Sequence, residues 1–182
     1  HLLLRDHLID QHRQFYPQLP FIVAGAVDGK SDAWATILAG KPGFLQSPDP
    51  YRLSIAAARD PQDPADGGMN EGDAVGLLGI ELHTRRRNRL NGLVRRSGAA
   101  AFDVQVQQSF GNCPQYIQLR DFAFVRDPAV PAPGAPRELA RLDDHARAMI
   151  AGADTFFVVS YVDDGQHGRA VDVSHRGGRP GF

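Results

Sequence analysis

The chain has 182 residues and a net charge of −1 at pH 7, so no whole-chain field recruits nucleic acid or an anionic membrane surface. Its 42% hydrophobic content suffices for a packed core and is too high for a disordered chain. Cys113 is the single cysteine, which excludes an intrachain disulfide framework and a zinc site of ordinary Cys spacing, and a reducing cytoplasmic setting is the expectation.

Leu2-Leu3-Leu4 is interrupted at once by Arg5, Asp6 and His7, too soon for a signal-peptide core, and no later run approaches membrane-spanning length. Leu4, Leu8, Ile9, His12 and Phe15 recur at helical spacing, and Pro17 with Pro20 closes an N-terminal helix. Phe21 to Val27 and Ala33 to Ala39 are apolar runs around Asp28-Gly29, the pattern of a hairpin. Tyr51, Leu53 and Ile55 alternate with Arg52 and Ser54, which predicts a third strand. Residues 59 to 73 carry repeated Asp, Pro and Gly and read as a long exposed loop, a candidate lid. Ala74 to Leu82 and Leu90 to Val94 flank Thr84-Arg-Arg-Arg-Asn-Arg89, so a second hairpin with a basic tip is expected; Arg85, Arg87 and Arg89 would share one face. Phe102, Val104 and Val106 alternate with polar residues as another strand. Asn112-Cys-Pro-Gln-Tyr116 has the Asn and Pro of a helix start, and Phe122 to Val125 is a last apolar stretch.

Asp127 to Pro136 is a stiff Pro/Ala-rich linker and the best domain boundary. Beyond it Leu139, Leu142, Ala146, Met149 and Ile150 form an amphipathic helical stripe. Phe156-Phe-Val-Val-Ser-Tyr-Val-Asp163, running to Gly178-Arg-Pro-Gly-Phe182, then repeats Phe21-Ile-Val-Ala-Gly-Ala-Val-Asp28, running to Gly40-Lys-Pro-Gly-Phe44. A repeat at this period points to two related units. Residues 1–130 are the first; residues 131–182 hold the linker, the helix and the first hairpin of a second, which completes the same fold or is cut short. Consecutive antiparallel strands with helices at the edges point to a mainly β, closed or partly closed barrel.

Several patterns bear on chemistry. Ala24-Gly-Ala-Val-Asp-Gly-Lys-Ser31 fits a loose phosphate-binding loop. Against it, the second copy has Asp164-Gly-Gln-His in place of Gly-Lys-Ser, and the strands that follow alternate as antiparallel ones do. The Arg85 to Arg89 cluster suits bidentate capture of a phosphate or carboxylate, or else is a solvated turn answering the acidic loop before it. Ser174 and the Gly177-Gly178 backbone suit an anion, or are polar edge decoration; repeat alignment sets Thr36 opposite Ser174. Ser174 and His175 fall on opposite strand faces, which argues against a nucleophile and base pair. No His-Glu-x-x-His or similar metal spacing occurs among the seven histidines, so no metal site is expected.

Taken together, Leu19 to Val23, Asp32 to Thr36 with Gly40 to Phe44, Gly76 to Leu82 with Thr84 to Gly92, Phe110-Gly-Asn-Cys-Pro-Gln-Tyr-Ile-Gln118 and Ser174-His-Arg-Gly-Gly-Arg-Pro-Gly-Phe182 resemble the pyridoxamine 5′-phosphate oxidase-like family of flavin-nucleotide-binding proteins. The resemblance implies an antiparallel split β-barrel with flanking helices, a homodimer, FMN as cofactor and a flavin-dependent oxidoreductase whose substrate is an unidentified small molecule. It implies a flavin surface built from Trp34, Thr36, Arg59, Arg85, Arg87, Arg89, Asn112, Ser174, His175, Arg176, Gly177 and Gly178, with no catalytic side chain assigned. The family's Ser-Arg-Lys-like phosphate segment is here Ala58-Arg59-Asp-Pro, and its substrate-phosphate pattern is absent, which argues against activity on pyridoxamine phosphate. The alternatives are a non-catalytic flavin- or haem-binding or dimerisation module and, behind it, a P-loop nucleotide-binding protein.

Overall fold

A computed structural model describes residues 4–96, 98–111, 113–130, 134, 136–166 and 168–182. The fold is mainly antiparallel β. Strands β1 (Phe21–Val27), β2 (Ala33–Ala39), β3 (Leu45–Asp49), β4 (Arg52–Ile55), β5 (Ala74–Glu81), β6 (Arg86–Arg95) and β7 (Phe102–Gly111) form one sheet in the order β2-β1-β5-β6-β7-β4-β3. β8 (Thr155–Asp164) and β9 (Gly168–Gly177) form a separate two-stranded ribbon. Helix α1 spans Asp10–Phe15 and α2 spans Asp144–Gly152.

One face of the seven-stranded sheet curls round a common core, since Ile22, Ala24 and Ala26 of β1 share a cluster with Leu53 and Ile55 of β4, well separated from it in the strand order. Among the described residues no ladder joins the edge strands β2 and β3, so the barrel is split rather than closed. Phe15, Tyr16 and Leu19, from α1 and the turn after it, enter the same core with no exposed surface. They reach it because Gly79 of β5 has no side chain; a Cβ there would stand 2.7 Å from Leu19 and 2.9 Å from Phe15.

The ribbon covers the outer face of β1 and β5. Val23, Leu78 and Ile80 pack there with Val173, while Val27 and Ala74 pack with Val171. Two-sided burial is why β1 and β5 read as continuous apolar runs, whereas β7, with one covered face, alternates. Gly25 and Gly76 stand opposite each other in the β1–β5 ladder. A Cβ on Gly76 would come within 2.8 Å of Asp172 Cα and 2.9 Å of the Val171 carbonyl, and one on Gly25 within 2.5 Å of Val173. The β9 backbone therefore lies directly on Gly76, and the Val173 and Val159 side chains fill the space over Gly25.

Several expectations need correction. The N-terminal helix is confined to Asp10–Phe15, because Arg5 instead bonds the backbone of Ser109 as an isolated bridge. Residues 59 to 73 are no free lid: Ala65 and Met69 are core residues, and a Cβ on Gly68 would stand 2.5 Å from the Val27 carbonyl. Arg59 clamps the segment through Asp66, with Nε 3.1 and 2.9 Å from the two carboxylate oxygens. The short helix expected from Asn112 is not seen among the described residues 113–118; residues 115 and 116 form a turn with Tyr116 at φ 68°. Strand β3, which contains Pro48, was not expected apart from β4. The amphipathic helix begins at Asp144, capped by Asp143, whose carboxylate accepts from the Ala146 amide at 2.8 Å, and no residue of it is buried. Lys30 and Ser31 sit in the tight β1–β2 turn rather than ahead of a helix, which removes the phosphate-loop reading.

Gly76→Ala is expected to destabilise the chain by about 1–3 kcal/mol, the usual range for overpacking, because the obstructing atoms are backbone. Urea unfolding measures the loss, and hydrogen exchange should show it concentrated in β9.

Candidate ligand cleft

Three arginines of the basic run lie on β6, not in a turn. Thr84 and Arg85 turn the chain, with Arg85 in the left-handed region at φ 57°, and β6 opens at Arg86. Arg87 pairs with Ile80 and Arg89 with Leu78, and directly paired residues share a sheet face. Arg87 and Arg89 therefore emerge on the ribbon side, while Arg86 points to the α1 side and lies over the Phe15 ring at 5.3 Å. The predicted common face holds for Arg87 and Arg89 and fails for Arg85, which lies outside the strand.

On the ribbon side, Arg89 Nη1 donates to Asp172 at 2.7 Å. Arg87 Nη1 lies 2.9 Å from His175 Nδ1, and its Nη2 donates to the Cys113 carbonyl at 2.7 Å. His175 is buried, and that burial, followed by the charges of Arg87, Arg176 and Arg89, pulls its pKa down to about 4. A neutral imidazole can accept from the guanidinium; a protonated one cannot. Burial, then Arg89, also works against the charge of Arg87 and lowers its pKa.

Arg87 thereby ties together the segments 113–118 and 174–178. Gln118 Nε2 donates to the Gly178 carbonyl at 2.8 Å, and Gly177 is required where it stands, since a Cβ there would fall 2.1 Å from the Tyr116 carbonyl. Asn112 lies outside the described residues. Ser174 is half-buried opposite Val158, and Arg176 is exposed with Nη1 folded back onto the His175 carbonyl at 3.1 Å.

Between α1, the start of β6 and the end of β7 lies an open cleft of about 320 Å³, within the size range of small-molecule sites. Arg85, Arg86 and Arg87 line it with His12, Asn88, Gly111 and Pro114, and among the described residues no carboxylate does. Buried Glu81, behind the turn, accepts from the Thr84 hydroxyl and stands 4.0 Å from Arg86. Arg87 Nε is buried without a hydrogen-bond partner among the described residues.

Solved structures of similar shape are remote in sequence. A candidate pyridoxamine 5′-phosphate oxidase of Lactobacillus delbrueckii superposes with TM-score 0.47 at 13% identity, covering 60% of this chain and 98% of that one. Two structures of HupZ from Group A Streptococcus give TM-scores of 0.46 and 0.45 at 9% and 10% identity, covering 58% and 57% of this chain and 99% and 93% of theirs. No family model matches the chain, and no curated protein does.

The remaining expected site residues lie elsewhere. Trp34 Nε1 donates to Asp28 at 3.0 Å, Thr36 donates to Asp63, and Arg59 is held by Asp66. Thr36 pairs with Ala24, Ala24 with Leu77 and Leu77 with Leu90, so Thr36 is three strand spacings, roughly 14 Å, from β6. Sequence reasoning missed His12 and Asn88 in the cleft. His12 sits at a core-facing helical position, and only the fold sets it against β6.

Acidification should unlock the Arg87 contact. Because His175 in the folded chain is held below the ordinary value near 6.5, the unfolded state binds the extra proton first. Stability is unaffected by this group above about pH 6.5 and falls as pH drops toward about 4. His175→Gln should flatten that part of the stability profile; an unchanged profile in the variant would contradict the assignment.

Proposed function

We propose that the chain binds FMN, with the phosphate held in the arginine cleft, and serves as a flavin-dependent oxidoreductase acting on a small molecule. What supports the reading is the lining: three arginines border one cleft, and no carboxylate does among the described residues. Such a set fits a phosphate monoester, which takes several charge-assisted hydrogen bonds at once. No aromatic side chain other than the His12 imidazole lines the cleft among the described residues, so what it fits is the phosphate and ribityl end, and the flavin ring would meet groups outside this lining. Arg85 and Arg86 would neutralise the phosphate, Asn88 would supply a neutral amide, and Arg87, turned toward the ribbon, would add positive charge from behind. When bound, FMN supplies hydride and electron transfer; the cleft residues bind and orient.

A cofactor-free association module is the second reading, favoured by one observation. Met149 and Ile150 of α2 and Phe156 and Val162 of β8 are exposed, at 65%, 59%, 46% and 60%, more large apolar side chains on one small unit than solubility favours. On this reading the chain is a homodimer whatever it binds, and sedimentation equilibrium would give a dimer that Phe156→Asp dissociates; a monomer at all concentrations would sink it.

Titration of the chain with FMN and with riboflavin tests the first reading. FMN is expected to bind at least tenfold more tightly, and Arg85→Ala to remove much of that difference, since a hydrogen bond to a charged group contributes about 1.5–3 kcal/mol. Equal affinity for the two flavins, or no FMN binding by a folded chain, would overturn it.

A further inference from the structure

His12 is the one titratable imidazole in the cleft lining, and its surroundings differ from those of an ordinary core histidine. It is 5% exposed, and its Nδ1 lies 3.0 Å from the Ser109 hydroxyl. Ser109 is fully buried and fixed, its amide donating to Arg5 at 2.7 Å and its carbonyl accepting from Arg5 at 3.0 Å. The other ring nitrogen, Nε2, stands 4.0 Å from where a Cβ on Gly111 would be, and Gly111 is a wall of the cleft. Among the described residues Nε2 has no hydrogen-bond partner. The ring is thus anchored at one end and presents the other to the cleft.

A hydroxyl is a fitting anchor for a ring that changes charge. Ser109 can donate to Nδ1 of the neutral ring, which leaves the proton on Nε2, or rotate and accept from Nδ1–H of the charged ring. Neither state leaves an orphaned group at the buried end. The charges that face His12 come from every side and are nearly all positive: Arg5 from the N-terminal segment, Arg86 from β6, and Arg85 and Arg87 along the cleft. On its own helix Asp10 is paired with Arg13 at 3.5 Å, and β7 contributes only the neutral Ser109, Phe110 and Gly111. Burial first, then Arg5 and Arg86, holds the His12 pKa below its ordinary value. An anion seated among the three arginines would reverse the sign of the local field and favour the imidazolium.

We propose that His12 is a ligand-contacting residue of the arginine cleft, donating from Nε2 to a tetrahedral oxyanion and taking up a proton as that oxyanion binds. The inference rests on the cleft being the phosphate site. The proton comes from solvent and stays on the imidazole, so no bond to the ligand forms or breaks. Binding then tightens as pH falls through the interval between the free and ligand-bound His12 pKa values, because the complex holds one more proton than the separate partners.

Sulfate is the appropriate probe, since a phosphate monoester titrates near pH 6 and would contribute protons of its own. Calorimetric titration of the whole chain with sulfate, in two buffers of different ionisation heat between about pH 5.5 and 7.5, reads proton uptake directly in the unsubstituted protein. Expected are a net uptake that peaks within this range, competition between sulfate and FMN, and in His12→Gln a roughly tenfold weaker sulfate affinity with the uptake abolished. Sulfate binding without proton uptake in the unsubstituted protein, or uptake that persists in a folded His12→Gln, would overturn the role of His12 and leave the phosphate cleft standing. FMN binding that sulfate does not compete, or no binding of either, would overturn the cleft reading itself and the inference with it.

Discussion

The contact of β9 with two cross-paired glycines sets the position of nearly every polar group on the ribbon side of the sheet. Gly25 and Gly76 remove the side chains that would hold the ribbon off the barrel. The β9 backbone settles onto the sheet, Val171 and Val173 are buried, and Asp172 and His175 are brought to β6. Without that approach Arg87 and Arg89 would be two solvated cations on a strand. With it they are half-buried, partnered and directional.

Partial burial also explains how charges are arranged around the cleft. A guanidinium loses hydration when covered and regains that loss only through well-placed acceptors. Arg89 has a carboxylate, Asp172, whereas Arg87 has a neutral imidazole and a carbonyl, which leave its positive charge uncompensated. Arg86 has the Phe15 ring and a carboxylate 4.0 Å off. The field at the cleft is positive because its cations are held by mostly neutral partners. His12 and His175 are both kept toward the neutral form by burial and by nearby arginines.

How much of this can be read in the sequence depends on whether a signal is local. The β1–β2 hairpin, β5 and β7 are legible because apolar runs, alternation and Asp28-Gly29 are local signs of strands and turns. Residues 59 to 73 mislead because Ala65, Asp66 and Met69 are buried by long-range packing and an Arg59 clamp, neither of which leaves a periodic trace. The helix expected after Asn112 fails for a similar reason: Tyr116 takes a left-handed conformation and its carbonyl sits against Gly177, a partner some sixty positions on. Arg87 stands out by density of charge, yet its contacts to His175 and Cys113 come from tertiary placement alone. The repeat groups Thr36 with Ser174, and the ladder separates Thr36 from β6 because repeat equivalence relates positions in two units, not neighbours in space.

The repeat itself shows one sequence pattern in two packings. In β1 the apolar run is covered on both faces and paired along both edges, by β2 and by β5. In β8 the equivalent run is paired only with β9 among the described residues; Phe157 and Val159 turn toward the barrel, while Phe156, Val158 and Val162 face out. Continuous apolarity signals two-sided burial, and here the signal is fully met in the first copy and half met in the second. The outer face of β8 is therefore more apolar than its packing in this chain requires.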